Sequence, residues 1–148
     1  MSRFKRFLRS SRGANAVEFA LIAPVFFLLV FGMIDFGFVF RDWLILTNGV
    51  REGARVGVVT QGTLTQKGAA VTTAVNNYTS VLGPLDAGYN PKVTCSDGTK
   101  CESGRSSLTV EARRTRTLIT PLRAFIVWFG GSMGNQVTLR ASSVMRNE

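Results

Sequence analysis

Glu18 is the residue whose type and position ask for chemistry. It stands just inside a long apolar stretch, five residues after Gly13 and six after Arg12. A carboxylate near hydrocarbon needs a partner, because lipid supplies neither water nor counter-charge. One reading makes Glu18 a marker of the cytoplasmic interface, solvated by headgroups. The other makes it half of an ion pair completed by another chain. Asp35, near the outer end of the same stretch, poses the same question. It is either an interfacial acid solvated at the outer headgroups or a buried partner for a basic residue on a second helix.

The surroundings of these two acids are those of a membrane anchor. Residues 1–12 hold Arg3, Lys5, Arg6, Arg9 and Arg12 and no acid. From Phe19 to Phe40 the chain reads FALIAPVFFLLVFGMIDFGFVF, 22 residues with Asp35 as the one charge. As a helix this run is about 33 Å long, close to one bilayer core. A secretory signal has a shorter apolar core and a small-residue cleavage site beyond it. Here the far side reads Phe40-Arg41-Asp42-Trp43. The expectation is a retained single-pass membrane anchor. The basic leader stays in the cytoplasm and residues 41–148 are exported.

The net charge of +9 would suit a nucleic-acid binder, but its distribution does not. Without the five leader charges, 13 basic and 9 acidic residues remain, a surplus of four spread thinly. No partner of nucleic-acid type is expected, and no small-molecule substrate. With no histidine, a general base would have to be an acid or a lysine. The acids outside the span (Asp42, Glu52, Asp86, Asp97, Glu102, Glu111 and Glu148) show no paired spacing. No phosphate loop or nucleophile elbow is present. The chain reads as a non-enzyme without cofactor. Cys95 and Cys101, with five residues between them, read in an exported domain as a disulfide closing a short loop. A zinc site would need more clustered ligands than this.

The elements that must position these residues follow from periodicity. A long helix is expected over about 15–59. Beyond the bilayer Val39, Trp43, Leu46, Val50 and Ala54 continue it as one apolar stripe. Pro24 leaves the Ala20 carbonyl without its helical donor. Gly62 is the expected stop. A second helix spans about 64–82, with a Thr63/Gln66 capping box and a stripe of Val71, Val75, Tyr78 and Leu82. Gly83-Pro84 ends it. Three short strands follow from Pro91–Cys95 and from alternation at Leu108, Val110, Ala112 and at Val137, Leu139, Ala141. The fold class is α+β, with a long transmembrane and amphipathic helix, a second helix and a small antiparallel sheet. Leu118–Gly131 is the most apolar stretch outside the anchor, too short to span a bilayer. Core packing under the sheet is its expected role. The alternative is a loop or short helix on the membrane face or against a partner, with Phe125, Trp128 and Phe129 as anchors.

A basic leader, then Gly13, then Glu18, then an apolar helix resembles the prepilin pattern of type IV pilins and pseudopilins. Within that class Glu18-Phe19-Ala20-Leu21, Pro24, Asp35-Phe36-Gly37 and Val50-Arg51-Glu52-Gly53-Ala54-Arg55 resemble the TadE-like pseudopilins of the tight-adherence (Tad/Flp) pilus system. The closing stretch Val137–Arg146 is similar to that family's last strand. Ala14 stands where many type IV pilins have Phe. Phe19 follows the glutamate where the major Flp pilins have Tyr, and roughly 90 residues trail the long helix, which points to a minor subunit.

The resemblance implies a pilin-like fold and cutting by a prepilin peptidase between Gly13 and Ala14. The domains are then a leader, 1–13, a transmembrane helix, 14–40, and an extracytoplasmic domain, 41–148, whose first part, 41–59, continues the helix. It implies sibling pseudopilins, the major Flp pilin, inner-membrane platform proteins and lipid as partners. Glu18, with Phe19 beside it, would set subunit register by pairing with the Ala14 amine of a neighbour. Arg51, Glu52 and Arg55 are either a solvated helix face or a partner-contact patch. The alternative to a pilus role is an uncleaved anchor carrying an extracytoplasmic binding domain.

Overall fold

A computed structural model describes residues 11–83, 90–98, 101, 106–128, 130–132 and 134–146, leaving aside the side chains of Ser11, Arg12, Leu122 and Phe125. The leader up to Ser10, Pro84 and Phe129 lie outside the described residues, as does the side chain of Phe125.

Helix α1 runs over Ser11–Val59, with Pro24 inside it. Its long apolar run and its later stripe keep helical periodicity in register, so one helix serves both. It ends where Gly62 turns the chain at φ 117°, a conformation that suits glycine. Helix α2, Leu64–Thr79, starts on the anticipated capping box: the Gln66 N–H donates to the Thr63 hydroxyl and the Thr63 N–H donates to Oε1 of Gln66. A short 3₁₀ turn, Ser80–Leu82, continues it to Gly83 (φ 79°).

Strands β1 (Lys92–Cys95), β2 (Ser107–Thr117) and β3 (Gln136–Arg146) form an antiparallel sheet in the order β1-β2-β3. Register pairs Val93 with Val110 and Ala112 with Ala141. β2 and β3 run several residues past the alternation that marks them. The arginine- and threonine-rich ends lose the apolar pattern, but backbone pairing needs only a partner strand, and Arg116 opposite Val137 still has one. Cys95 and Cys101 form the expected disulfide, with a Cα–Cα distance of 5.5 Å. Within its loop the Cys101 N–H donates to Oδ1 of Asp97.

The chain forms two compact units. One contains residues up to Phe36 together with 118–134; the other contains 37–117 and 135–148. In the second unit a single core joins Leu46, Val50 and Ala54 of α1, Val71 and Val75 of α2, Leu108, Val110 and Ala112 of β2, and Leu139 and Ala141 of β3. Two stripe residues are corrected. Tyr78 is 45% and Trp43 41% exposed, and Thr79 takes the buried place on α2. Thr79 can do so because its hydroxyl donates to the Val75 carbonyl, which satisfies the only polar group it brings inward.

The expected core role of 118–131 is also corrected. No described residue of that stretch belongs to the buried core. It forms a short helix, α3, over Leu122–Trp128, and Ile119, Val127 and Trp128 are exposed. The sheet's inner face is already filled by α1 and α2, which leaves no apolar vacancy there for it.

Candidate functional site

The apolar length of α1 keeps its side chains outward. Phe19 is 69% and Leu21 72% exposed, and most of the apolar residues between Val17 and Phe40 are exposed likewise. The helix is long and apolar enough to cross a membrane. Gly13 and Ala14 stand near its start, and Glu18 is exposed one turn after Ala14. Among the described residues nothing pairs with Glu18.

Asp35 is different. It is 4% exposed inside a helix whose neighbouring apolar groups face outward. Its Oδ1 accepts the N–H of Ile119 at 3.1 Å and the N–H of Thr120 at 3.3 Å. Its Oδ2 accepts the Thr120 hydroxyl. The carboxylate is thus satisfied inside its own chain by a segment more than 80 residues away. This differs from both sequence readings, a headgroup-solvated acid and a pair with a foreign base. Neither could be chosen from α1 alone, because the donors are two backbone amides and a hydroxyl with no charge to search for.

Asp42, fully buried, meets Arg116 of β2 in an ion pair. The Arg116 guanidinium also lies 5.2 Å from the Phe38 ring centroid. The pair went unread in the sequence. By sequence Asp42 is only one of the acids outside the span without paired spacing, and nothing singles out Arg116.

Arg51, Glu52 and Arg55 behave as the helix periodicity implies. Arg55 donates to both carboxylate oxygens of Glu52, at 2.9 and 2.7 Å, on an exposed face. The Arg55 hydrogen bonds hold the Glu52 carboxyl below its ordinary range and raise the Arg55 guanidinium. Arg51 is exposed beside them.

A glycine face was missed. Gly49, Gly53 and Gly57 recur at every fourth residue and all lie buried. A Cβ on Gly53 would sit 2.5 Å from Cγ2 of Val75, and one on Gly57 2.7 Å from Cγ2 of Val71. A Cβ on Gly49 would lie 3.0 Å from Cγ2 of Thr79. The glycines let α1 and α2 approach closely, and the spacing of four was the available signal. By contrast Gly32 and Gly37 face open space.

The arrangement has no catalytic constellation among the described residues. The one grouping with metal-ligand spacing among the described residues, Cys95, Asp97 and Cys101, has both its sulfurs committed to the disulfide. What the first unit offers is an apolar helix with an exposed carboxylate near its start, and what the second offers is a folded core.

No curated protein and no solved structure matches the chain. Residues 13–55 match the family model described as TadE-like protein. That match covers the glycine, the glutamate, the apolar run and the Arg51–Arg55 stretch, and over this segment the chain is similar to TadE-like proteins.

Proposed function

We propose that the protein is a non-catalytic pseudopilin, or minor pilin, that is cut between Gly13 and Ala14 by a prepilin peptidase and acts in assembly or initiation of a Tad/Flp pilus. The supporting observation is the exposed apolar helix bearing an exposed Glu18, within the TadE-like match. Such a surface is stable in lipid or against other helices of its kind, and in water it is not.

Cutting removes all five leader charges and creates an amine at Ala14. The leader anchors the chain electrostatically to the cytoplasmic side; the cut end no longer does. Both Gly13 and Ala14 are helical, so the peptidase must unwind this first turn, which glycine makes easier. Glu18 then pairs with the Ala14 amine of a neighbouring subunit. Apolar packing makes the pair costly to leave unmade, so it enforces axial register more than it adds stability. The domain is exported, and its partners are sibling pseudopilins, the major Flp pilin and the platform proteins.

Intact mass and N-terminal sequencing of the protein from its native membrane test this first. An N-terminus at Ala14 is expected. One at Met1 or Ser2, with an active prepilin peptidase present, would overturn the reading in favour of an uncleaved anchor. Glu18→Ala should leave cleavage intact but weaken piliation and partner co-purification; unimpaired pili would remove the pairing role.

A further inference from the structure

We infer that residues 118–128 form a second membrane contact: an interfacial segment that lies in the outer leaflet and is held there by Asp35. The inference rests on the membrane-spanning reading of α1. Its carrying observation is one of depth. Asp35 lies inside the apolar run Phe19–Phe40, five residues before its end, or about 7.5 Å at helical rise. Hydrogen bonds of 3.1 and 3.3 Å to Ile119 and Thr120 place that backbone at the same level. A segment tied to a residue inside the apolar run cannot stand free in water while the run spans a bilayer.

The chemistry of the segment fits that place. Ile119 is 61%, Val127 50% and Trp128 78% exposed. In water these would be hydrated apolar groups with no compensation; at the lipid boundary they are covered. Tryptophan favours the headgroup level, where its ring is half in hydrocarbon and its N–H can bond outward. Arg123, exposed on α3, has a stem long enough to carry its charge to lipid phosphate. Asp35 also benefits. A lone carboxylate at this depth would be expensive, and the two amides and one hydroxyl replace the water it has lost. Asp35 is therefore a tether whose job is to fix the depth of α3. Lipid is the occupant because continuity with the spanning helix decides the environment. A second copy or a sibling subunit would have to reach this face within the bilayer.

Trp43 and Trp128 are the chain's two tryptophans, so Trp43→Phe leaves Trp128 as the sole reporter. The full chain is reconstituted at high dilution in phosphatidylcholine vesicles with ordinary or brominated acyl chains, and flotation is read in parallel. Expected are a blue-shifted Trp128 emission and about a twofold loss of intensity in brominated lipid. Water-like, unquenched emission from chains that float would overturn the inference and leave the anchor standing. Chains that do not float would overturn both. Emission that turns blue only at high protein-to-lipid ratio would assign the face to a second copy instead. Asp35→Leu should red-shift Trp128 and weaken its quenching without affecting flotation, and Asp35→Asn, which keeps an accepting oxygen, should restore part of it. Thr120→Val, which removes only the hydroxyl, should fall between. Undiminished quenching in Asp35→Leu would overturn the tether.

Discussion

Along α1, Phe19 and Leu21 expose 69% and 72% of their surface, whereas Leu46, Val50 and Ala54 expose none. The two stretches use similar residues in one continuous helix, yet only the second finds its partner inside the chain. The first is apolar all round, which no single neighbouring element could cover. The second is apolar on one stripe, and glycines every fourth residue let α2 close over it. A helix that expects an apolar solvent and a helix that makes its own core thus differ in the width of the apolar face. The glycines divide the same way: Gly32 and Gly37 face open space, while Gly49, Gly53 and Gly57 are packed.

The sharpest way to break this comparison is a pair of leucine substitutions. Gly53→Leu drives a side chain into Val75 and Val71 and should destabilise the domain by about 3 kcal/mol or more. Gly32→Leu has open space and should leave domain stability unchanged. Thermal unfolding of the full chain in detergent reads both. Equal losses would mean that the glycines do not divide by packing.

Next in size is Asp42→Ala, which leaves the Arg116 guanidinium beside the core without its carboxylate. A loss of about 2 kcal/mol is expected, below the usual cost of breaking a buried pair. Two features lower it: the Arg116 side chain keeps 17% exposure, and Oδ1 of Asp42 is buried without a hydrogen bond among the described residues. Chemical denaturation of wild type and variant measures it. No change would show that the pair is replaceable by water.

The smallest effect is at Glu52. Its carboxyl is held below the ordinary range in the folded chain, chiefly by the Arg55 hydrogen bond. A depressed acid contributes stability above its unfolded pKa and loses it as pH falls through the folded value. Glu52→Gln should therefore lower Tm slightly at pH 7, and the difference should vanish as pH falls through the folded value. A difference that persisted in acid would show that Arg55 acts through packing rather than charge.

Most elements were legible because their signals are local. The Thr63/Gln66 box names the start of α2 within one turn, and the Leu108-Val110-Ala112 alternation names the inner face of β2 without reference to any other strand. The cysteine pair was legible because its loop is short. Asp35 and Asp42 were not, since their donors lie 74 to 85 residues away. For the same reason the 118–131 stretch was assigned to a core already filled by other elements.

By itself the sequence determined the long apolar helix, the carboxylate near its start, the disulfide loop and the TadE-like segment. Each depends on neighbours within a few residues and on the aversion of apolar side chains to water. Tertiary structure alone decided which acids are solvated and which are held, which glycines are contacts, and where the most apolar outer segment goes. Those outcomes depend on which distant donor or surface the fold brings to a buried group, because burying a charge without partners is costly.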